Sequence, residues 1–261
     1  MRFVFIRNDD VRNELDNSLV NITDLCLKYG ACISHAVEPA NVSTEVINWL
    51  KSIKHSFPSF IEIIQHGYDH NIKMKYPYGY EFGGDRNFES QYLDLRAGLE
   101  LMDDYFGNQW ERIITFPYGA FNHDTLKAVN KLGYIALSSS VSFNLKRRIL
   151  DNFGQLLNFD FLFGKKISYH GTRRSNFNFL EFDVSVNIIL KYTGYRSAIH
   201  YDITNVINQI ERGFRYTNIV GILLHHRVHN EHVSLIEEIL KYCISKNYKF
   251  ISLKELIKSH K

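Results

Sequence analysis

The sequence predicts an α/β protein with a mostly parallel sheet, closed as a β/α barrel in preference to an open doubly wound sheet. Three observations carry this. Short apolar runs alternate with segments of helical period along most of the 261 residues, the pattern of strands joined by helical crossovers. No G-x-G-x-x-G or G-x-x-x-x-G-K turn follows the first run, which removes the usual signatures of dinucleotide and nucleoside triphosphate binding. No Pro-rich or Gly-Ser linker interrupts the chain, so a single domain over 1–261 is expected, with 146–218 its least legible and partly basic region.

Each element has its own signal. Phe3 to Arg7 is an apolar run of β-formers; Leu15, Leu19, Ile22 and Leu25 then recur at helical spacing until Gly30 stops them. Ala31 to Val37 is a second strand, and Val46, Ile47 and Leu50 mark a helix over 44–53 that Ser43 or Thr44 caps. Phe60 to Ile64 is a third strand, 71–87 a long loop and Tyr92 to Phe106 an amphipathic helix. Arg112 to Phe116, a helix over Asp124 to Leu132 ending at Gly133, and Tyr134 to Leu137 continue the alternation. After the poorly legible stretch, a helix at 206–212, a strand at 219–224, a helix at 232–245, a strand at 249–252 and a terminal helix complete it.

Composition narrows the function. Lys and Arg number 31 against 28 Asp and Glu, a net charge of +3, too small to support general nucleic-acid binding. The exception is 146–174, where Lys146, Arg147, Arg148, Lys165, Lys166, Arg173 and Arg174 face only Asp151 and Asp160. That segment is read either as a solvated loop or as a receiver for a phosphate-bearing small molecule or an anionic membrane surface. Cys26, Cys32 and Cys243 show no C-x-x-C spacing and sit among apolar residues, as buried thiols of a reducing compartment do. With no apolar stretch after the first residues and none approaching the ~18 of a membrane span, a cytoplasmic protein is expected.

In parallel α/β folds the site lies at the carboxyl ends of the strands. Strand one ends at Asp9-Asp10, strand three at His66-Gly67-Tyr68-Asp69-His70, strand four at Pro117-Tyr118-Gly119 and the late strand at His225-His226. One helical turn would put His66 and His70 on the same side, able to hold one divalent ion with Asp10 as third ligand. Two imidazoles and a carboxylate suit Zn²⁺ or another first-row metal in a catalytic site. Asp9 is the candidate base for the water and an imidazole across the site the candidate acid.

At these residues the chain resembles the polysaccharide deacetylases of carbohydrate esterase family 4, the NodB-homology group. The resemblance implies a distorted (β/α) barrel, with Asp9 as catalytic base, Asp10, His66 and His70 as metal ligands, the backbone N–H of Tyr118 as oxyanion donor and His225 as catalytic acid. Two partners that the family keeps are absent: Thr115 stands where an Arg precedes the Pro-Tyr-Gly motif, and neither His226 nor the segment 136–140 supplies the Asp that orients the acid. Consecutive strand residues face opposite sides, so one of His225 and His226 lines the site, and the motif selects His225.

Pro117, His226, Arg173, Arg174 and His170 are candidate substrate contacts; His35 and His170 read first as ordinary hydrogen-bonded residues. The aromatic loop from Tyr76 through Phe82 packs on its own domain or stacks a sugar, and Leu156 to Phe163 is an interior strand or a membrane-contacting edge. The expected activity is metal-dependent removal of an acetyl or formyl group from an amino sugar, nucleotide- or polyprenyl-phosphate-linked, in surface-glycan assembly. O-deacetylation or another amide hydrolysis on the same metal, and an inactive carbohydrate- or metal-binding protein, stay open.

Overall fold

The structure is a computed structural model and describes residues 1–73, 80–141, 149, 172–173, 177–194 and 196–260. It divides into two compact units, the first made of Met1–Val37, Val42–Ile63 and Val184–Lys261, the second of Glu38–Asn41 and Ile64–Asp183.

In the first unit β1 (Phe3–Val11) is the central strand, parallel to β2 (Ile33–Val37), β11 (Ile219–Leu224) and β12 (Lys249–Phe250). On its far side β11 pairs in parallel with β8 (Val184–Asn187). Parallel strands are covered on both faces, and seven of the nine residues of β1 are buried. Val4, Ile6, Ile33, Val220, Ile222 and Leu224 pack with Ile22 and Cys26 of α1 (Asn17–Lys28), Ile210 of α5 (Ile203–Gly213) and Ile236, Ile239, Leu240 and Cys243 of α6 (Val233–Ser245). All three cysteines are free and buried, as the apolar context predicts. The helices start on side-chain caps: Asp16 accepts from Leu19 N, Asp202 from Asn205 N, and Ser252 opens α7 (Leu253–Ser259) in a capping box with Glu255. Of the two candidate caps of α2 (Thr44–Ser56), Ser43 is the one used.

In the second unit the last half of β3 (Ile61–His66) leads a parallel row through β4 (Ile113–Thr115), β5 (Ala136–Leu137) and β7 (Leu180–Glu181), and β6 (Thr172–Arg173) closes it antiparallel. Helices α3 (Phe88–Phe106) and α4 (His123–Lys131) bury Leu95, Met102, Phe106, Leu126 and Val129 there.

Two differences from the sequence reading matter. The first strand does not end at Arg7: pairing of Asn8 with Leu224 and of Val11 with Val37 carries it through the whole polar run. Within 150–218 the alternating pattern near Phe177 and Phe179 resolves into β7 and β8, and a hairpin of β9 (Ile189–Gly194) and β10 (Ser197–His200) precedes α5. Leu156 to Phe163, most of the basic segment and 76–79 of the aromatic loop lie outside the described residues.

Candidate metal centre

β1 carries three functional groups in four residues because its ladder is interrupted. Between Asn8 and Val11 the register with β2 slips by one residue, a bulge, and Asp10 sits at φ 64°. A non-glycine residue in that region costs about 1–2 kcal/mol. The kink breaks the alternation of side chains, so Asp9 and Asp10 are not simply placed on opposite faces. Asp9 is buried against Arg7, whose Nε donates to Oδ1 at 2.8 Å and whose Nη2 donates to Oδ2 at 2.9 Å. Thr115, where the resemblance leads one to look for an arginine, is 1 % exposed on β4.

His66 ends β3, and the chain then turns without forming the helical turn that the spacing suggested. Gly67 at φ 55° and His70 at φ 58° do the turning. The turn is held by Glu81, whose Oε1 accepts the backbone N–H groups of Tyr68 and Asp69, each at 2.9 Å. Burial pushes the Glu81 carboxyl up to about 7, against the lowering effect of the Asp69 and Tyr68 hydrogen bonds. A Cβ on Gly67 would lie 2.4 Å from Glu81 Oε2 and 2.7 Å from the Pro117 ring, so glycine is required by space as well as by φ. The two imidazoles end with ring centres 5.6 Å apart. Tyr118, at φ 59° in the Pro-Tyr-Gly turn, sets its ring edge-on to His70 at 4.9 Å and stacks on Tyr80 at 4.9 Å. Among the described residues only four non-glycines have positive φ, and three of them are Asp10, His70 and Tyr118. Strain of this kind gathers at functional sites.

Asp10, His66 and His70 each offer one ligand atom, and the three atoms lie within 4.8 Å of one another. The donors fit a divalent cation: two neutral nitrogen ligands and one carboxylate oxygen, with His66 buried and the other two partly open.

At the end of β11 the two histidines diverge. His226 is 1 % exposed; Asn8 Oδ1 accepts its backbone N–H at 2.9 Å and Asn8 Nδ2 meets its Nδ1 at 3.2 Å. The same amide nitrogen reaches His35 Nδ1 at 3.3 Å, so His35 is an interior, hydrogen-bonded residue. Burial depresses both imidazoles to about 3. His225 is instead partly exposed, with its ring perpendicular to that of Tyr192 at 5.8 Å. Its backbone N–H donates to His229 Nε2 at 2.9 Å, which leaves the His229 proton on Nδ1, 2.7 Å from His200 Nε2. Burial holds His229 well below the usual histidine range and His200 at about 4.

Arg7, Glu81, His229 and Tyr192 were not singled out from sequence. Burial of its phenol, and then the charges of Asp10 and Asp9, push Tyr192 up. An arginine two residues before an aspartate on a strand was a readable signal for Arg7; nothing local marks the other three. Of the remaining candidates, Pro117 is buried beside Gly67, Arg173 is placed as β6 backbone, and His170 and Arg174 lie outside the described residues.

No family model and no curated protein matches the chain. Solved structures do. An acetyl xylan esterase of family 4 from Clostridium thermocellum, in complex with a cobalt ion, is 12% identical over 98% of this chain and 91% of its own, with a TM-score of 0.59. The catalytic domain of a peptidoglycan N-acetylglucosamine deacetylase from Eubacterium rectale is 15% identical over 97% and 88%, with a TM-score of 0.53. A family 4 pseudoenzyme from Bacillus anthracis is 11% identical over 98% and 65%, with a TM-score of 0.58. These likenesses overturn the cytoplasmic expectation: the two enzymes are named for xylan and peptidoglycan, polymers met outside the cytoplasm. Among the described residues no helix is long and apolar enough to cross a membrane. The fold is the α/β distorted barrel seen in these family 4 structures, and Asp10, His66 and His70 form a group of donors able to hold a metal ion.

Proposed function

We propose that the protein hydrolyses the N-acyl group, acetyl or formyl, of an amino sugar. The observation that supports it is the donor set: two imidazoles and one carboxylate gathered by strained backbone are the composition of a hydrolytic centre, which leaves positions open for water and substrate. Zn²⁺ suits these donors, and an ion there supplies Lewis acidity to a carbonyl oxygen and makes a water easier to deprotonate.

The other roles fall to the chain itself. Asp9 takes the proton from the attacking water. The backbone N–H of Tyr118 donates to the carbonyl oxygen as it gains negative charge, and His225 delivers a proton to the nitrogen as the C–N bond breaks. The products are a carboxylate, acetate or formate, and a free amino sugar. A nucleotide- or polyprenyl-phosphate-linked amino sugar stays within this proposed substrate class.

The test pairs metal analysis with acetate release from N-acetylglucosamine oligomers and from acetylated xylan, for the parent and for Asp10→Ala and His66→Ala. About one equivalent of divalent metal in the parent, little in either variant, and acetate from the N-acetyl substrate by the parent alone support the reading. Release only from acetylated xylan moves it to an esterase. Metal without turnover of either substrate makes the protein a binding module, as with the pseudoenzyme of the same fold.

A further inference from the structure

We infer that Arg7 is the positioning residue of Asp9, an assignment that rests on the proposed deacylation. The two residues stand two apart on β1, the spacing that puts side chains on one face of a strand. Both side chains are 4 % exposed, and the guanidinium meets the carboxylate fork to fork, Nε on Oδ1 at 2.8 Å and Nη2 on Oδ2 at 2.9 Å.

That geometry does more than neutralise a charge. One donor fixes a distance; two parallel donors fix the plane of the carboxylate as well. Each carboxylate oxygen has two acceptor positions and Arg7 occupies one, so each keeps a second for the proton of a water. Orientation is what a base beside a bulge needs. The slip between Asn8 and Val11 removes the ladder regularity that would otherwise aim Asp9, and the residue that follows is at φ 64°. Arg7 lies before the slip, where β1 pairs regularly with Leu223 on one side and Ser34 on the other. The side chain anchored in regular sheet therefore sets the carboxylate standing in irregular sheet.

Two variants separate positioning from mere packing. Arg7→Lys keeps the charge and loses the fork; Arg7→Ala removes both. In the metal-loaded protein kcat should fall about tenfold in Arg7→Lys and about a hundredfold in Arg7→Ala, the scale of a misplaced catalytic group. KM and metal content should match the parent, and guanidinium ion added to Arg7→Ala should restore part of kcat. A merely structural arginine would lower folded fraction and metal content together and give no rescue. Unchanged kcat in Arg7→Ala beside an active parent overturns the assignment and leaves the deacylation standing. A parent that releases no acyl group overturns the deacylation and the assignment with it. Should Arg7→Ala fail to fold, Arg7→Lys decides by the same kcat and KM criterion.

Discussion

Asn8 grips His226 from two sides: its side-chain oxygen accepts the His226 backbone N–H at 2.9 Å and its amide nitrogen meets the ring Nδ1 at 3.2 Å. One buried amide thus joins the centre of β1 to the turn after β11, and its second reach, to His35, ties in β2. His226 is committed to the interior, and the adjacent His225 is the imidazole left on the side of Tyr192.

Removing that amide takes a partner from the Nδ1 atoms of two buried imidazoles and from a backbone N–H. Asn8→Ala should destabilise the protein by about 2–4 kcal/mol. Urea unfolding at pH 7 measures it; a loss under about 0.5 kcal/mol would show that the bridge contributes little.

Acid should unfold the protein through the same residues. The folded pKa of His35 is depressed to about 3 from 6.5, so its contribution is complete above pH 6.5 and is lost as pH falls from there toward 3. His35→Gln, which cannot titrate, should show a shallower decline of the urea midpoint between pH 7 and pH 4 than the parent. Parallel declines would place the acid sensitivity elsewhere.

Glu81 gives a slope of the opposite sign. Its folded pKa is raised from 4.5 to about 7, so the folded state binds the proton more tightly, and the stabilisation it gives below pH 4.5 is lost as pH rises through 7. At about 1.4 kcal/mol per unit the full swing is on the order of 3 kcal/mol. For the metal-free protein, Glu81→Gln should gain stability relative to the parent between pH 4.5 and pH 8. A constant difference across that range would count against the raised pKa.

The turn between His66 and His70 tolerates no side chain at Gly67. Gly67→Ala adds a carbon 2.7 Å from the Pro117 ring at φ 55°, so a loss of about 1–3 kcal/mol is expected. Because the displaced group, Glu81, holds Tyr68 and Asp69, metal affinity should drop about tenfold or more, as when the outer partners of ligands are removed. Isothermal titration with Zn²⁺ reads this directly; unchanged affinity would mean that the loop adapts.

For the proposed chemistry, Asp9→Asn should cost about 10²- to 10⁴-fold in kcat with metal content intact. Loss of the metal in that variant would instead assign Asp9 as a ligand.

The primary structure was sufficient for the α/β class, for most of the helices and strands, and for Asp10, His66 and His70 as a group, because those readings use local information. Period announces the helices and strands, and residue type at strand ends announces the candidate donors. Tertiary structure alone decided how the backbone presents them. Asn and Asp are poor strand formers, so the apolar run stops at Arg7, but pairing with β2 and β11 overrides that preference and extends the strand. The spacing of His66 and His70 suggested a helical turn, whereas Gly67 and the distant carboxylate of Glu81 make a different one. Which of two adjacent histidines turns inward was decided by Asn8, 218 positions away. Period and composition report what each residue prefers near its neighbours; a bulge, a buried carboxylate or a two-sided amide exists only once remote segments supply its partners.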